Sequence, residues 1–254
     1  MVILDTIIVK DLGNFDFIEL YPLADLHIGD PTCNMELFRK WKKHILDAPN
    51  RYVVLNGDLC NVALKNSKSD IYSDTMTPES QIEFLRNELY PIRDRILAAT
   101  TGNHENRVKR ETGIDVVKYL FTYLDIADRY KPSGAFLKVR FGKNEKGKEQ
   151  AYVIYLSHVT SSSLPTVERF CGNLDGVDCF VFSHTHKPLA RPISKVVVDP
   201  RNNKVTQKDC YILITASFTT WFKSYGQAKS FQPQSNASGY FRLSGRTREI
   251  KVII

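Results

Sequence analysis

The segment Ala99-Thr100-Thr101-Gly102-Asn103-His104-Glu105-Asn106-Arg107 packs an amide, an imidazole, a carboxylate and a guanidinium directly behind an apolar run. A strand that ends at glycine and then spills polar side chains is the usual way a sheet delivers reactive groups to its edge. The same layout recurs along the chain. Five of the six histidines, His27, His104, His158, His184 and His186, follow runs of β-branched or aromatic residues. Asp25 and Asp58 occupy the same kind of position.

Asp25, His27, Asp58, Asn103, His158, His184 and His186 arrive at five separate strand ends. Carboxylate together with neutral imidazole suits Mn²⁺ first, with Fe, Zn, Ni or Co as alternatives, and the absence of a Cys-x-x-Cys pair argues against a structural zinc cage. The pairs Asp25-x-His27 and His184-x-His186 use a period of two, which in an extended segment places both side chains on one side. Seven ligands are too many for one ion; they suit two divalent ions about 3.5–4 Å apart, bridged by a carboxylate. Asp58, alone on its strand end, is the natural bridge.

The elements that must position these groups alternate between strand-like and helix-like segments. Strands are expected at Ile3–Val9 (at an edge or in a second sheet), Phe17–Leu23, Tyr52–Leu55 and Ile96–Ala99. Asn34 caps a helix through Leu46, and Thr77-Pro78 opens another with Ile82, Leu85 and Leu89 inward. Thr112-Gly113-Ile114-Asp115 resembles a capping box for a helix through Leu124. Phe136–Phe141 and Ala151–Leu156 flank a polar hairpin connection, and further strands are expected at Val177–Phe182, Val196–Asp199, Tyr211–Thr215, Tyr240–Leu243 and Ile250–Ile254. Residues 1–254 read as one α/β domain with helices outside strand layers.

Composition bounds the rest. With 254 residues, 43% hydrophobic and 25% charged, the chain can bury a sizeable core. No apolar run approaches the ~20 residues of a membrane helix. Five scattered cysteines and no export signal point to a reducing, cytoplasmic setting without disulfides, or to the host cytoplasm for a phage-encoded chain. The formal charge of +7 mildly favours polyanionic partners.

Asp25-Leu26-His27, Gly57-Asp58, Gly102-Asn103-His104-Glu105, His158 and Ser183-His184-Thr185-His186 resemble, in order, the five blocks of the calcineurin-like metallophosphoesterases. The resemblance implies a four-layer sandwich: two mixed β-sheets flanked by helices, with a dinuclear centre at the strand ends. It implies one ion on Asp25, His27, Asp58 and His186, and another on Asp58, Asn103, His158 and His184. His104, by the same resemblance, is not a ligand but stabilises or protonates the leaving oxygen. Three departures stand out. Ser183 replaces a glycine, Leu59-Cys60-Asn61-Val62 replaces the protein-phosphatase continuation of the second block, and Glu105 stands where nucleases more often carry Asp. The whole pattern looks most like phage and bacterial members.

The function implied is hydrolysis of phosphate esters by metal-activated hydroxide, on a diester of nucleic acid or a nucleotide. A phosphomonoesterase on a small metabolite or nucleotide is the alternative, and a non-catalytic scaffold would have lost ligands. His104, Glu105 and Arg107 are the catalytic candidates. Glu105 either orients His104 or faces solvent; Arg107 either reaches the phosphate or is solvated. Trp221, Phe222 and Tyr225 either stack a base or anchor a loop. His44 reads as a surface or helix C-terminal charge. Oligomeric state is not legible.

Overall fold

The computed structural model describes residues 5–65, 67, 71–159 and 163–254. The strands are β1 (Ile8–Asp11), β2 (Phe17–Leu23), β3 (Arg51–Asn56), β4 (Ile96–Thr100), β5 (Ala135–Lys143), β6 (Glu149–Ser157), β7 (Cys179–Phe182), β8 (Leu189–Asp199), β9 (Lys204–Ile214), β10 (Tyr240–Ser244) and β11 (Ile250–Ile253). The helices are α1 (Met35–Leu46), α2 (Pro78–Leu89), α3 (Asn103–Thr112), α4 (Val116–Tyr123), α5 (Leu164–Gly172) and the single turn α6 (Tyr225–Ala228).

Two mixed sheets form. One has the order β1-β5-β6-β7-β9-β8 and the other β11-β10-β2-β3-β4. β2, β3 and β4 run parallel, as do β6, β7 and β9, while β5–β6, β8–β9, β10–β11 and β10–β2 are antiparallel.

The near-continuous apolar runs of β2 and β3 are explained by burial on both faces. Ile18, Leu20, Tyr52 and Val54 point between the sheets, where they meet Leu137, Val139, Tyr152, Ile154 and Val181. The alternate residues Tyr21, Leu23, Val53 and Leu55 point outward onto Phe38 and Ile45 of α1, Leu85 and Leu89 of α2 and Leu120 of α4. On the far side, Val167 and Cys171 of α5 cover Phe180, Phe182 and Ile212. The layers are therefore helices, sheet, sheet and helix, the α/β sandwich expected.

Caps set the helix starts. Asn34 accepts the Leu37 amide, and Thr77 accepts that of Ser80 ahead of Pro78. The expected capping box at Thr112–Asp115 is a different device: Thr112 ends α3, Gly113 closes it at φ +76°, and Asp115 caps α4 through the Lys118 amide. β8 and β9 extend well beyond the expected strands, as one long hairpin arm turning at Asn203 with φ +51°. Of the expected first strand, Ile3 and Leu4 lie outside the described residues.

Phe241 is fully buried between the sheets, whereas Asn34 only caps α1. Urea unfolding should show a loss of about 3–5 kcal/mol for Phe241→Ala and about 1 kcal/mol for Asn34→Ala.

Candidate metal centre

Each parallel strand delivers its polar residue at its carboxyl end. Asp25 and His27 follow β2, Asp58 follows β3, and Asn103 opens α3 after β4. His158 follows β6, and His184 and His186 follow β7. The two sheets thus present their ends along one edge, where open α/β sheets place ligands.

The local backbone is not extended, as a period of two assumed. Asp25, His27, Asp58, His184 and His186 have φ of +51°, +52°, +50°, +82° and +55°. Non-glycine residues rarely adopt this left-handed region, and a cluster of them marks stored strain. His184 and His186 consequently do not share one side. His186 joins Asp25 and His27, while His184 joins Asp58 and His158.

The potential ligand atoms converge. His186 Nε2 lies 3.2 Å from Asp25 Oδ1 and 3.4 Å from His27 Nε2. His158 Nε2 lies 3.1 Å from both Asp58 Oδ2 and Asn103 Oδ1. Ligands bound at about 2.1 Å stand about 3.0–3.4 Å apart when they subtend 90–109° at a cation. Asp25 and Asp58 are 0% and 1% exposed, and a buried carboxylate needs a compensating charge. The donor set therefore fits divalent cations.

Hydrogen bonds fix which nitrogen each ring offers. His158 Nδ1 donates to the Asn56 carbonyl at 2.8 Å, which turns Nε2 toward the centre. Ser183, at the position where glycine was expected, donates to the same carbonyl at 2.7 Å and accepts from Asn56 Nδ2 at 2.7 Å. Thr100 Oγ1 donates to Asn56 Oδ1. Asn56, Thr100 and Ser183 thus form a buried polar scaffold under His158. On the other side, Asp25 Oδ2 accepts from the His184 amide and from Thr215 Oγ1. Sequence reasoning passed over Asn56 and Thr215, whose only signal is a polar residue at the end of an apolar strand.

Charge follows burial and contact. Burial and the neighbouring His104 hold His27 down at about 3, so it is neutral as a ligand must be. Burial would also depress His158, but the Asp58 carboxylate outweighs it and lifts it to about 10, so at neutral pH Nε2 carries a proton that a divalent cation would displace. Burial pushes Asp58 up, yet His158, His104 and His27 more than offset this and hold it well below the carboxylate range. A strongly anionic carboxylate among imidazoles is an environment for a cation.

His104 stands beside the set. Its amide donates to Asp58 Oδ1 at 2.9 Å, its Nδ1 lies 3.0 Å from the Asn61 carbonyl, and its Nε2 lies 3.9 Å from Asp58 Oδ2. It also lies close enough to His27 and Asp58 to complete a three-residue cluster. Burial lowers its pKa, against the pull of Asp58.

Glu105 neither orients the His104 ring nor faces solvent. It is 2% exposed, and its carboxylate accepts the amides of Asp58, Cys60 and Gly102 at 3.1, 2.9 and 3.0 Å. Burial and the Asp58 charge raise it to about 7. It is a positioning group for the Asp58 turn.

Arg107, one helical turn beyond Asn103, is half-buried, and burial lowers its pKa against the attraction of Asp58 and Glu105. Lys109, two residues on, is engaged 2.9 Å from Asp115. His44 lies on the surface in the last turn of α1, with Nε2 2.9 Å from the Tyr21 hydroxyl.

The layered α/β fold gathers a carboxylate–imidazole centre at its sheet ends that could hold metal ions. The chain belongs to the calcineurin-like phosphoesterases, whose family model matches residues 23–188, and this supports metal-dependent phosphoester hydrolysis. Among solved structures, it is similar to a conserved uncharacterized protein of Streptococcus pneumoniae described as a predicted phosphoesterase, with 12% identity, a TM-score of 0.37, and coverage of 93% of this chain and 97% of that one. No curated protein matches.

Elemental analysis of the Mn²⁺-loaded protein should find about two ions per chain, and Asp58→Ala should lose at least one. Retention of both would exclude Asp58 as the bridge. Glu105→Ala strands three buried amides and should cost about 3 kcal/mol or more in urea unfolding, well above His104→Ala.

Proposed function

We propose that this chain hydrolyses phosphodiesters of nucleic acid or nucleotides at a two-cation centre. One cation is held by Asp25, His27, Asp58 and His186, and the other by Asp58, Asn103, His158 and His184. The mixed nitrogen and oxygen donors suit Mn²⁺, with Fe, Zn, Ni or Co as alternatives. When bound, the cations supply charge neutralisation at the phosphate and an activated water.

The chain's own groups do the rest. With Nδ1 directed at the Asn61 carbonyl, His104 gains and loses its proton at Nε2. As the bond from phosphorus to the leaving oxygen breaks, Nε2–H passes its proton to that oxygen, a contribution typically worth ~10²–10⁴-fold. Arg107, one helical turn beyond Asn103 on α3, would meet a non-bridging oxygen. Glu105 keeps Asp58 and Gly102 in register.

The observation that carries the diester reading is a set of exposed aromatics on a segment tied to the Asp25 turn. The segment after β9 is tied to the Asp25 turn: the Phe218 amide donates to the Asp25 carbonyl at 3.0 Å and the Thr220 amide to the Thr32 carbonyl at 2.8 Å. Just beyond, Phe222 and Phe231 are 67% and 58% exposed, and Trp221 Nε1 donates to the Phe231 carbonyl. Lys187, also exposed, directly follows His186. Exposed aromatic faces with nearby cations hold bases and backbone of a single strand.

Unbridged cysteines support a reducing, cytoplasmic setting. Among the described residues, no helix is long and apolar enough to cross a membrane.

The Mn²⁺-loaded protein should hydrolyse bis-(p-nitrophenyl) phosphate and single-stranded DNA or RNA faster than p-nitrophenyl phosphate. Phe222→Ala should raise KM for the oligonucleotide alone. A preference for the monoester would replace this reading with a phosphomonoesterase. His104→Ala should retain both ions and lose most activity on esters with poor leaving groups; an equal loss on activated nitrophenyl esters would remove the proton-donor role.

A further inference from the structure

The loop between β3 and α2 converges on one carboxylate. Asp74 accepts from Asn61 Nδ2 at 2.5 Å, from the Ala63 amide at 3.1 Å and from Gln81 Nε2 at 3.0 Å. Gln81, 0% exposed on α2, returns its Oε1 to the Val62 amide at 2.8 Å and donates Nε2 to the Met76 carbonyl at 3.0 Å. Gly29 lets this glutamine lie flat, since a Cβ there would stand 2.2 Å from Gln81 Nε2. The Thr75 amide ties the loop to the Gly29 carbonyl at 2.8 Å.

All these bonds bracket Val62, whose φ is +38°. A β-branched residue in the left-handed region is an outlier that persists only where its surroundings over-determine it. Here the residues on both sides are held: Asn61 by Asp74 and by its amide to the Ile28 carbonyl at 2.8 Å, and Ala63 by Asp74. The consequence lies one atom away, because the Asn61 carbonyl is the partner of His104 Nδ1 at 3.0 Å.

We propose that Asp74 is a positioning residue for His104, holding the strained Asn61–Ala63 turn so that the Asn61 carbonyl fixes the imidazole with Nε2 toward the leaving oxygen. Asp74 itself touches neither metal ligands nor His104 in this network. It acts by aiming a backbone carbonyl, as outer partners aim catalytic imidazoles elsewhere. The inference rests on His104 as the proton donor proposed above.

The test is a double-mutant cycle with a metal-free readout. Asp74→Ala should retain two ions and lower kcat by about tenfold on esters with poor leaving groups, with KM unchanged and little loss on bis-(p-nitrophenyl) phosphate. In a His104→Ala background the same substitution should change kcat by less than about twofold, because residues acting as a unit are not additive. Long-range ¹H–¹⁵N spectra of the metal-free protein should show a protected His104 Nδ1–H that broadens or disappears in Asp74→Ala. If that variant does not fold, Asp74→Asn, which keeps the shape and one acceptor oxygen, is carried through the same cycle. Independent, additive losses or an unchanged Nδ1–H would overturn the proposal. An absent leaving-group effect in His104→Ala would instead sink the proton-donor reading, while the Nδ1–H signal still decides the role of Asp74.

Discussion

The structure depends on one buried carboxylate. Asp58 sits where β3, β4 and β6 end, beside imidazole from β6 and the N-terminus of α3, whose second amide it accepts. Two glycines make the approach physical. A Cβ on Gly102 would stand 2.1 Å from Asp58 Oδ1, and one on Gly57 would stand 2.5 Å from the Gly102 amide. The helix N-terminus favours the negative charge, and the Glu105 carboxylate takes the turn's own amides, so Asp58 Oδ2 stays turned to the imidazoles. Every other group in the site is placed relative to this one.

Such a centre conflicts with folding. Two buried carboxylates, several imidazoles and a run of left-handed residues each raise the free energy of the native state. What offsets them is the double-sheet core, where Leu20, Val54, Ile154 and Val181 are fully buried. The rigid layers force strand ends together that would otherwise relax apart, and a bound cation removes the remaining electrostatic penalty. This is why the polar network continues inward as a complete set, Asn56 to Thr100 and Ser183, each with a partner: a half-satisfied network at that depth would be costlier than none.

Much of this was legible in the chain. Alternation and apolar runs gave most strands, because β2 and β3 are buried on both faces and β5 and β6 on one. Asn34 and Thr77 announced their helices because capping is a local chemistry. The ligand residues were visible as polar types behind apolar runs. Less visible was how they turn. Asp25-x-His27 and His184-x-His186 were read as extended pairs, whereas left-handed backbone sends His184 and His186 to different clusters. Glu105 and Asp74 were opaque for a related reason: their partners are backbone amides and side chains remote in sequence, which no spacing encodes.

Placement also separates what the fold dictates from what it leaves adjustable. The ligand set hangs on strand ends, so its geometry is inherited from sheet packing and is insensitive to surface change. Asn61 and Asp74 stand instead on the connection between β3 and α2, and Trp221 and Phe222 on the one after β9. These connections are anchored to the Asp25 turn through Gly29, Thr32 and Phe218, all within a few residues of the ligands Asp25 and His27 or bonded to them. A change in either connection therefore reaches the Asn61 carbonyl beside His104, or the exposed aromatics after β9, before it reaches Asp25 or His27. Loop variation can alter these connections while the strand ends keep their register.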